Sequence, residues 1–210
     1  MKILSLTTIA CFFVLASCST SNVSPQSSSS PSFDNSSISN AYPELPVLQF
    51  ERTTVSLSNV LDYIRKTDYS TEIKISCYTI FKGESASGRK GINNNYIGYQ
   101  ADGGRVHEEW TRFFIGTVIR EESMTGRTRR FLAFEKWQDC VDILLMRIAE
   151  RGLYVGGHAK QFAKMKIRSE MDWPTAYFRG WVLGDSQATI PRDKYAYYLR
   201  EYRRAKNLFQ

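Results

Sequence analysis

Apolar residues recur at helical spacing where the Ser- and Pro-rich N-terminal stretch gives way to mixed sequence. Leu57, Val60, Leu61 and Ile64 form one stripe, which predicts a helix over 56–66 with Ser56 or Ser58 as its cap. A more apolar stretch opens after Asp68, with Ser70 and Thr71 as cap candidates. Within it Ile73, Cys77, Ile80 and Glu84 fall at i, i+4, i+7 and i+11 and share one face, so a buried helix ending on an acid is predicted. The two helices should run antiparallel across a short turn. From Ala101 the pattern changes. Residues 110–119 and Thr128–Phe134 are aromatic and β-branched, and 123–127, with Gly126, reads as a hairpin turn. A third helix over 135–151 would turn Trp137, Val141, Leu144 or Leu145, and Ile148 inward, with Gly152 as C-cap. Gly156-Gly157 then breaks the chain. A basic helix over 158–168, a short helix from Pro174 to Trp181, and a final helix over 192–207 complete the reading. The last carries Tyr195, Tyr198, Leu199 and Tyr202 at helical spacing, a stripe read as packing.

The N-terminus adds a compartment. Residues 1–17 hold one Lys and an apolar run that is short for a membrane span and flanked as a cleaved signal is. Leu15-Ala16-Ser17-Cys18 looks like a lipobox, in which small residues precede a cysteine that is lipidated and becomes the new N-terminus. A mature lipoprotein end carries several acyl chains, enough for stable anchoring. Ser19, not Asp, follows, which for a Gram-negative source places the expected anchor in the outer membrane, facing the periplasm. Residues 18–45 are Ser, Asn and Pro with few large apolar side chains, the composition of a flexible tether. Residues 46–210 are long enough for one domain with its own core, and 42% apolar and 13% aromatic residues agree with that. No internal repeat or second linker divides them.

The formal charge is +7, or +6 once Lys2 leaves with the signal. Arg127, Arg129 and Arg130 cluster in one place, and Arg200, Arg203, Arg204 and Lys206 in another. In a cytosolic chain such clusters would suggest nucleic acid. An exported chain points instead to polyanionic envelope partners, or to a surface that is simply solvated. Other chemistries find little support. His107 and His158 form no ligand pair, and the cysteines lack CxxC spacing. There is no phosphate loop and no Gly-x-Ser-x-Gly elbow. Asp139 and Asp142 lie on a predicted helix and do not make a calcium loop. Cys77 and Cys140 fall on apolar helical faces and are read as two buried free thiols, ahead of the alternative of a disulfide. Carboxylate chemistry without a cofactor is left. Glu84 either stands in line with the apolar stripe, where desolvation raises its pKa as a proton donor needs, or ends the helix off-axis and is solvated. Spacing alone leaves both open.

The residues after Glu84 add a resemblance. Glu84-Ser85, with Gly88 standing later than usual, is followed by Asn94-Asn95-Tyr96-Ile97-Gly98. In order and spacing this resembles the bacterial glucosaminidase family of peptidoglycan hydrolases, the autolysin and flagellar type, with weaker similarity from about Val55 onward. The resemblance implies an α+β, mainly α, fold: a lysozyme-like helical domain with a small β-hairpin lobe. It implies Glu84 as catalytic acid, and a second acid on the lobe at Glu122 or its neighbour Glu121, with Glu108 and Glu109 as outsiders on the lobe's first strand. Asn94, Asn95, Tyr96 and Tyr99 would line the sugar groove. Trp181 stands where the family has a groove aromatic, although no Pro follows Asp185. The implied activity is hydrolysis of the β-1,4 glycan strand after N-acetylglucosamine. Cutting after N-acetylmuramic acid, by water or by intramolecular attack, is the near alternative. A catalytically silent glycan-binding scaffold lipoprotein, with an envelope-complex protein partner, is the alternative of another class.

Overall fold

The computed structural model describes residues 38–106, 108–122, 126–155, 163–165, 169–185 and 187–210. The fold is built around one helix that is buried on every side. Helix α1, Leu57–Arg65, is capped by Ser56, whose side chain accepts the Asn59 N–H, and it turns Val60 and Ile64 inward. Helix α2, Thr71–Glu84, is capped in the same way by Ser70 and buries every residue from Ile75 to Phe81. Such a run cannot lie on a surface, because each turn would expose apolar area. Helix α3, Trp137–Arg151, and helix α5, Arg192–Leu208, pack against α2, and α1 covers it as well. Cys77 and Cys140, from α2 and α3, are both free and buried. Burial pushes both thiols up, Cys140 to about 12. Gly152 ends α3 through its N–H to Ile148 O, as predicted.

The sheet content is small and antiparallel. β1, Arg52–Thr53, pairs with β2, Gly91–Ile92. The longest ladder joins β3, Phe114–Glu121, to β4, Thr128–Phe134. Phe114, Leu132 and Phe134 of this ladder join the main core, and Val118 and Phe131, paired across it, are buried as well. The architecture is therefore mixed, mainly helical, with an antiparallel hairpin beside the helices. The predicted hairpin is present, but its first arm starts later than expected. Glu108–Phe113, with Trp110, forms a 3-10 helix, so Glu108 and Glu109 are not on a strand. The Trp110 ring is almost wholly buried, and that burial outweighs its strand preference. Residues 123–125 of the turn and both histidines lie outside the described residues.

Two further expectations are corrected. The basic helix over 158–168 gives way to strand pairing of β5, Leu153–Val155, with β6, Ala163–Met165. The other residues of that expected helix lie outside the described ones. The folded region also begins before residue 46. Tyr42 is fully buried, meets Phe114 edge-on at 5.6 Å, and accepts the Val106 N–H at its hydroxyl. Beyond it Leu48 N–H reaches Thr117 O at 2.7 Å, and Thr117 N–H reaches Pro46 O at 2.8 Å. Residues 46–48 thereby make an isolated parallel bridge, Val47 to Thr117, at the hairpin edge. Cys18 and the signal lie outside the described residues, as does the tether up to residue 37. No helix among the described residues is long and apolar enough to cross a membrane.

Candidate active site

Glu84 is the last residue of α2, and the turn after it is tightly built. The Ser85 hydroxyl donates to Phe81 O and accepts the Gly88 N–H. Ala86, Ser87 and Gly88 all adopt left-handed backbone angles. At Gly88 a Cβ would stand 2.1 Å from Val55 O, so only glycine fits. The position of Gly88, late for the motif, is thus fixed by the approach of the strand that precedes α1.

Chain from the far end of the molecule returns to Glu84. Helix α4, Trp173–Ala176, runs directly into a π-helical segment, Tyr177–Leu183, that ends on Gly184 in the left-handed conformation. Such π-turns re-aim side chains and recur at functional sites. Tyr177 is buried, stacks on Trp173 at 5.0 Å with the rings 9° apart, and donates its hydroxyl to Glu84 Oε1 at 2.7 Å. Trp181, four residues on, bears on the same carboxyl and lowers its pKa. Glu84 stays open to solvent, yet burial is the largest influence on its proton and raises its pKa, against its polar neighbours Tyr177 and Trp181, which lower it. Of the two readings spacing left open, neither holds alone: the carboxyl is solvent-accessible and also desolvated enough to keep its proton above the ordinary range. The fold is accordingly more stable with Glu84 protonated, a contribution that is full below the ordinary glutamate pKa and is lost as pH rises through the raised one. Burial and the nearby Glu84 charge drive the Tyr177 hydroxyl far above its usual range, so it remains a donor.

Trp181 has a second neighbour. The Arg147 guanidinium, from α3, lies 4.4 Å from its ring centroid and 5.7 Å from that of Tyr99. One face of Trp181 is therefore covered by a cation. Tyr177 and Arg147 were not singled out in the sequence; the signal for Tyr177 was its spacing of four from Trp181.

The Asn-rich loop has a different role from the one expected. Asn93 Nδ2 donates to Gln49 O while its Oδ1 accepts the Glu51 N–H. Asn94 Nδ2 donates to Glu135 O at 2.9 Å and Phe134 O at 3.3 Å. Asn95 is 2% exposed; its amide donates to Tyr99 O and Leu132 O and accepts the Tyr99 N–H. Three consecutive asparagines thus tie three neighbouring segments together. Asn93 and Asn94 also take left-handed backbone angles, which Asn tolerates. Asn95 and Tyr96, read as groove lining, are interior, with the Tyr96 ring 5.2 Å from that of Phe81. Tyr99 is buried too and faces Arg147. These polar groups serve the backbone, because a buried loop must satisfy its own N–H and C=O groups.

On the hairpin, Glu122 closes the turn by backbone bonds to Arg127 and Gly126, and its carboxylate is 3.8 Å from Arg129 Nε. Arg129 also approaches Asp102 at 3.6 Å. Glu121 ends β3, exposed. The contacts found for Glu84 are with Tyr177 and Trp181, while Glu122 pairs with Arg129 on the lobe. The basic clusters are partly internal. Arg130 is 5% exposed and donates to Thr117 Oγ1. Arg203 and Lys206 share Glu170, while Arg200, Arg204 and Lys82 share Glu201. A cavity of about 360 Å³ is lined by Arg65, Thr71, Lys74 and the C-terminal Leu208, Phe209 and Gln210, none of which belongs to the Glu84 site.

Tyr177→Phe should move the ionisation of Glu84 to higher pH, because it deletes a donor that favours the carboxylate. The aromatic stack on Trp173 is kept, and stability should fall by about 1 kcal/mol. A carboxyl titration by NMR, with a melting curve beside it, checks both.

Comparison with models of protein families, with curated proteins and with solved structures finds no match for the chain.

Proposed function

We propose that the chain is a lysozyme-like peptidoglycan hydrolase that cuts the β-1,4 glycan strand by carboxylate acid catalysis, as an envelope lipoprotein. The observation that carries this reading is Glu84: a solvent-open carboxyl at the end of a buried helix, its Oε1 held at 2.7 Å by Tyr177 and its pKa raised by desolvation. A general acid needs that combination of access, orientation and raised pKa. Glu84 would protonate the leaving glycosidic oxygen as charge develops on the sugar ring. Glu122, or Glu121, would then activate water from the hairpin lobe. The ordered motif Glu84-Ser85 … Asn94-Asn95-Tyr96-Ile97-Gly98 favours a cut after N-acetylglucosamine.

The pairing of Glu122 with Arg129 favours a second reading, in which one acid suffices. Attack by the muramic acid hydroxyl on its own ring needs no second carboxylate near Glu84. A glycan-binding scaffold needs none at all. Digestion of purified peptidoglycan by the purified protein, with products reduced and weighed by mass spectrometry, separates these. Reducing-end glucosamine is expected, with a loss of at least tenfold in Glu122→Gln or Glu121→Gln. Anhydromuramic ends with both variants fully active would move the reaction to the single-acid route. Binding to sacculi without any products would leave the scaffold.

A further inference from the structure

We propose that Ser76 and Trp173 are positioning residues for Glu84, acting through Tyr177. The catalytic meaning of this inference rests on the reading of Glu84 as an acid; its structural content does not.

Each step of the connection is a contact between named atoms or rings. Glu84 ends α2, and Ser76 lies eight residues earlier on the same helix, about 12 Å along its axis. The Trp173 indole, at the start of α4, donates its Nε1–H to Ser76 Oγ at 3.0 Å. Tyr177, one helical turn later, lies flat on Trp173, with the rings 5.0 Å and 9° apart. Its hydroxyl then returns to α2, at Glu84 Oε1, 2.7 Å away. Two side-chain hydrogen bonds, one near the middle of α2 and one at its end, thus fasten the segment from Trp173 to Tyr177 alongside that helix.

The polar contact between Ser76 and Trp173 lies deep in the core. Ser76 is 2% exposed, and Trp173 is wholly buried. An apolar pair of the same shape would join the two segments about as firmly, because a buried hydrogen bond replaces bonds to water and adds little net stability. What the polar pair adds is direction. An indole has one N–H and no acceptor, so in a dry site it is satisfied only when that N–H meets Ser76 Oγ. A ring turned over would leave a buried donor unpaired, which is costly. Ser76 therefore sets the plane of Trp173, and Tyr177 takes its own plane from Trp173. Tyr198, from α5, packs against the Tyr177 ring at 5.0 Å and 83°, while Tyr202 backs Trp173 at 5.0 Å. With its ring held in this way, Tyr177 offers the hydroxyl to one carboxyl oxygen, Oε1, and limits the rotation of the Glu84 carboxyl. Ser76 is too far from Glu84 to act by its own dipole, so whatever effect it has must travel through the two rings.

The test is an NMR titration of the Glu84 carboxyl in the whole protein, with no substrate present. A donor at Oε1 favours the carboxylate, so loosening that donor moves the titration to higher pH. Ser76→Ala should move it in this direction, by less than Tyr177→Phe, which removes the donor outright. Trp173→Phe keeps a ring beside Tyr177 but deletes the N–H, and should also move it to higher pH. Ser76→Ala added to Trp173→Phe should bring no further shift, because both remove the same bond. In the Tyr177→Phe background Ser76→Ala should leave the titration where it stands. A Ser76→Ala titration identical to that of the unsubstituted protein overturns the inference, since a merely structural serine would change the melting temperature alone. A shift of full size in the Tyr177→Phe background overturns it as well. Should Trp173→Phe fail to fold, Ser76→Ala with and without Tyr177→Phe decides the matter. Turnover supplies the second readout: kcat in Ser76→Ala should fall on the order of fivefold at unchanged KM, the mark of a misplaced group with binding intact. A shifted titration in a protein that cleaves nothing would keep the positioning role and remove the hydrolase reading. A shifted titration with kcat unchanged would overturn the catalytic half of the inference.

Discussion

Glu84→Gln is expected to abolish glycan cleavage, a loss on the order of 10²- to 10⁴-fold in kcat, without harm to the fold. The amide keeps the shape of the carboxyl, and its oxygen can still accept the Tyr177 hydroxyl that now reaches Oε1 at 2.7 Å. What it lacks is the transferable proton. The stability effect has a sign that can be worked out. Desolvation raises the Glu84 pKa in the folded state, so wherever Glu84 is ionised its surroundings disfavour the charge. A neutral amide escapes that cost, and the melting temperature of Glu84→Gln at pH 7 should equal or exceed that of the unsubstituted protein. The difference should close as pH falls through the raised pKa, where both side chains are uncharged. Sacculus binding should survive. Full turnover in Glu84→Gln would remove this residue from the chemistry, whereas lost turnover with a collapsed melting curve would show only that it is structural.

Asn95→Ala should unfold the protein more readily than any change at Glu84. Three hydrogen bonds end on this amide, at 3.0, 2.9 and 2.8 Å, in a site 2% exposed to solvent. Tyr99 O keeps the Leu132 N–H as a partner, whereas Leu132 O points away from the β3–β4 ladder, because Leu132 N–H goes to Tyr99 and its pair Thr117 bonds to Pro46 and Leu48. The Tyr99 N–H loses its acceptor in the interior. One orphaned donor, one orphaned acceptor and one weakened acceptor amount to about 3 kcal/mol, or a fall on the order of 10 °C in melting temperature for a chain of this size. The result also separates two roles. A side chain that grips substrate would lower activity at an unchanged melting point. A side chain that ties a loop would lower the melting point first, and activity at low temperature would largely remain.

The contrast between these two positions shows how much of the site the sequence made legible. Glu84 was found because the α2 stripe is periodic and the acid falls on it, and periodicity records which face of a helix is buried. The caps Ser56 and Ser70, the α3 terminus at Gly152 and the hairpin arms were found for the same kind of reason, since each depends on neighbours a few residues away. The asparagines were misread because a polar residue in a loop looks the same in sequence whether it faces a ligand or a carbonyl. Asn94 and Asn95 face carbonyls near Leu132 and Phe134, some forty residues distant. Arg130 and Trp110 were misplaced for a related reason: composition suggested a basic surface and a strand, and burial decided otherwise.

By itself, then, the sequence determined the helices that carry the core, the hairpin and the acid at the end of α2. These are set by side-chain period, capping and backbone sterics, all of them local. Only the tertiary structure decided that Tyr177 and Trp181 close on Glu84, that Arg147 stands behind Trp181, and that the Asn loop is a staple. Those contacts span intervals of tens of residues and depend on where a π-turn happens to aim two rings. Local pattern holds no record of that, because the energy that fixes it comes from packing between segments that meet only once the chain has folded.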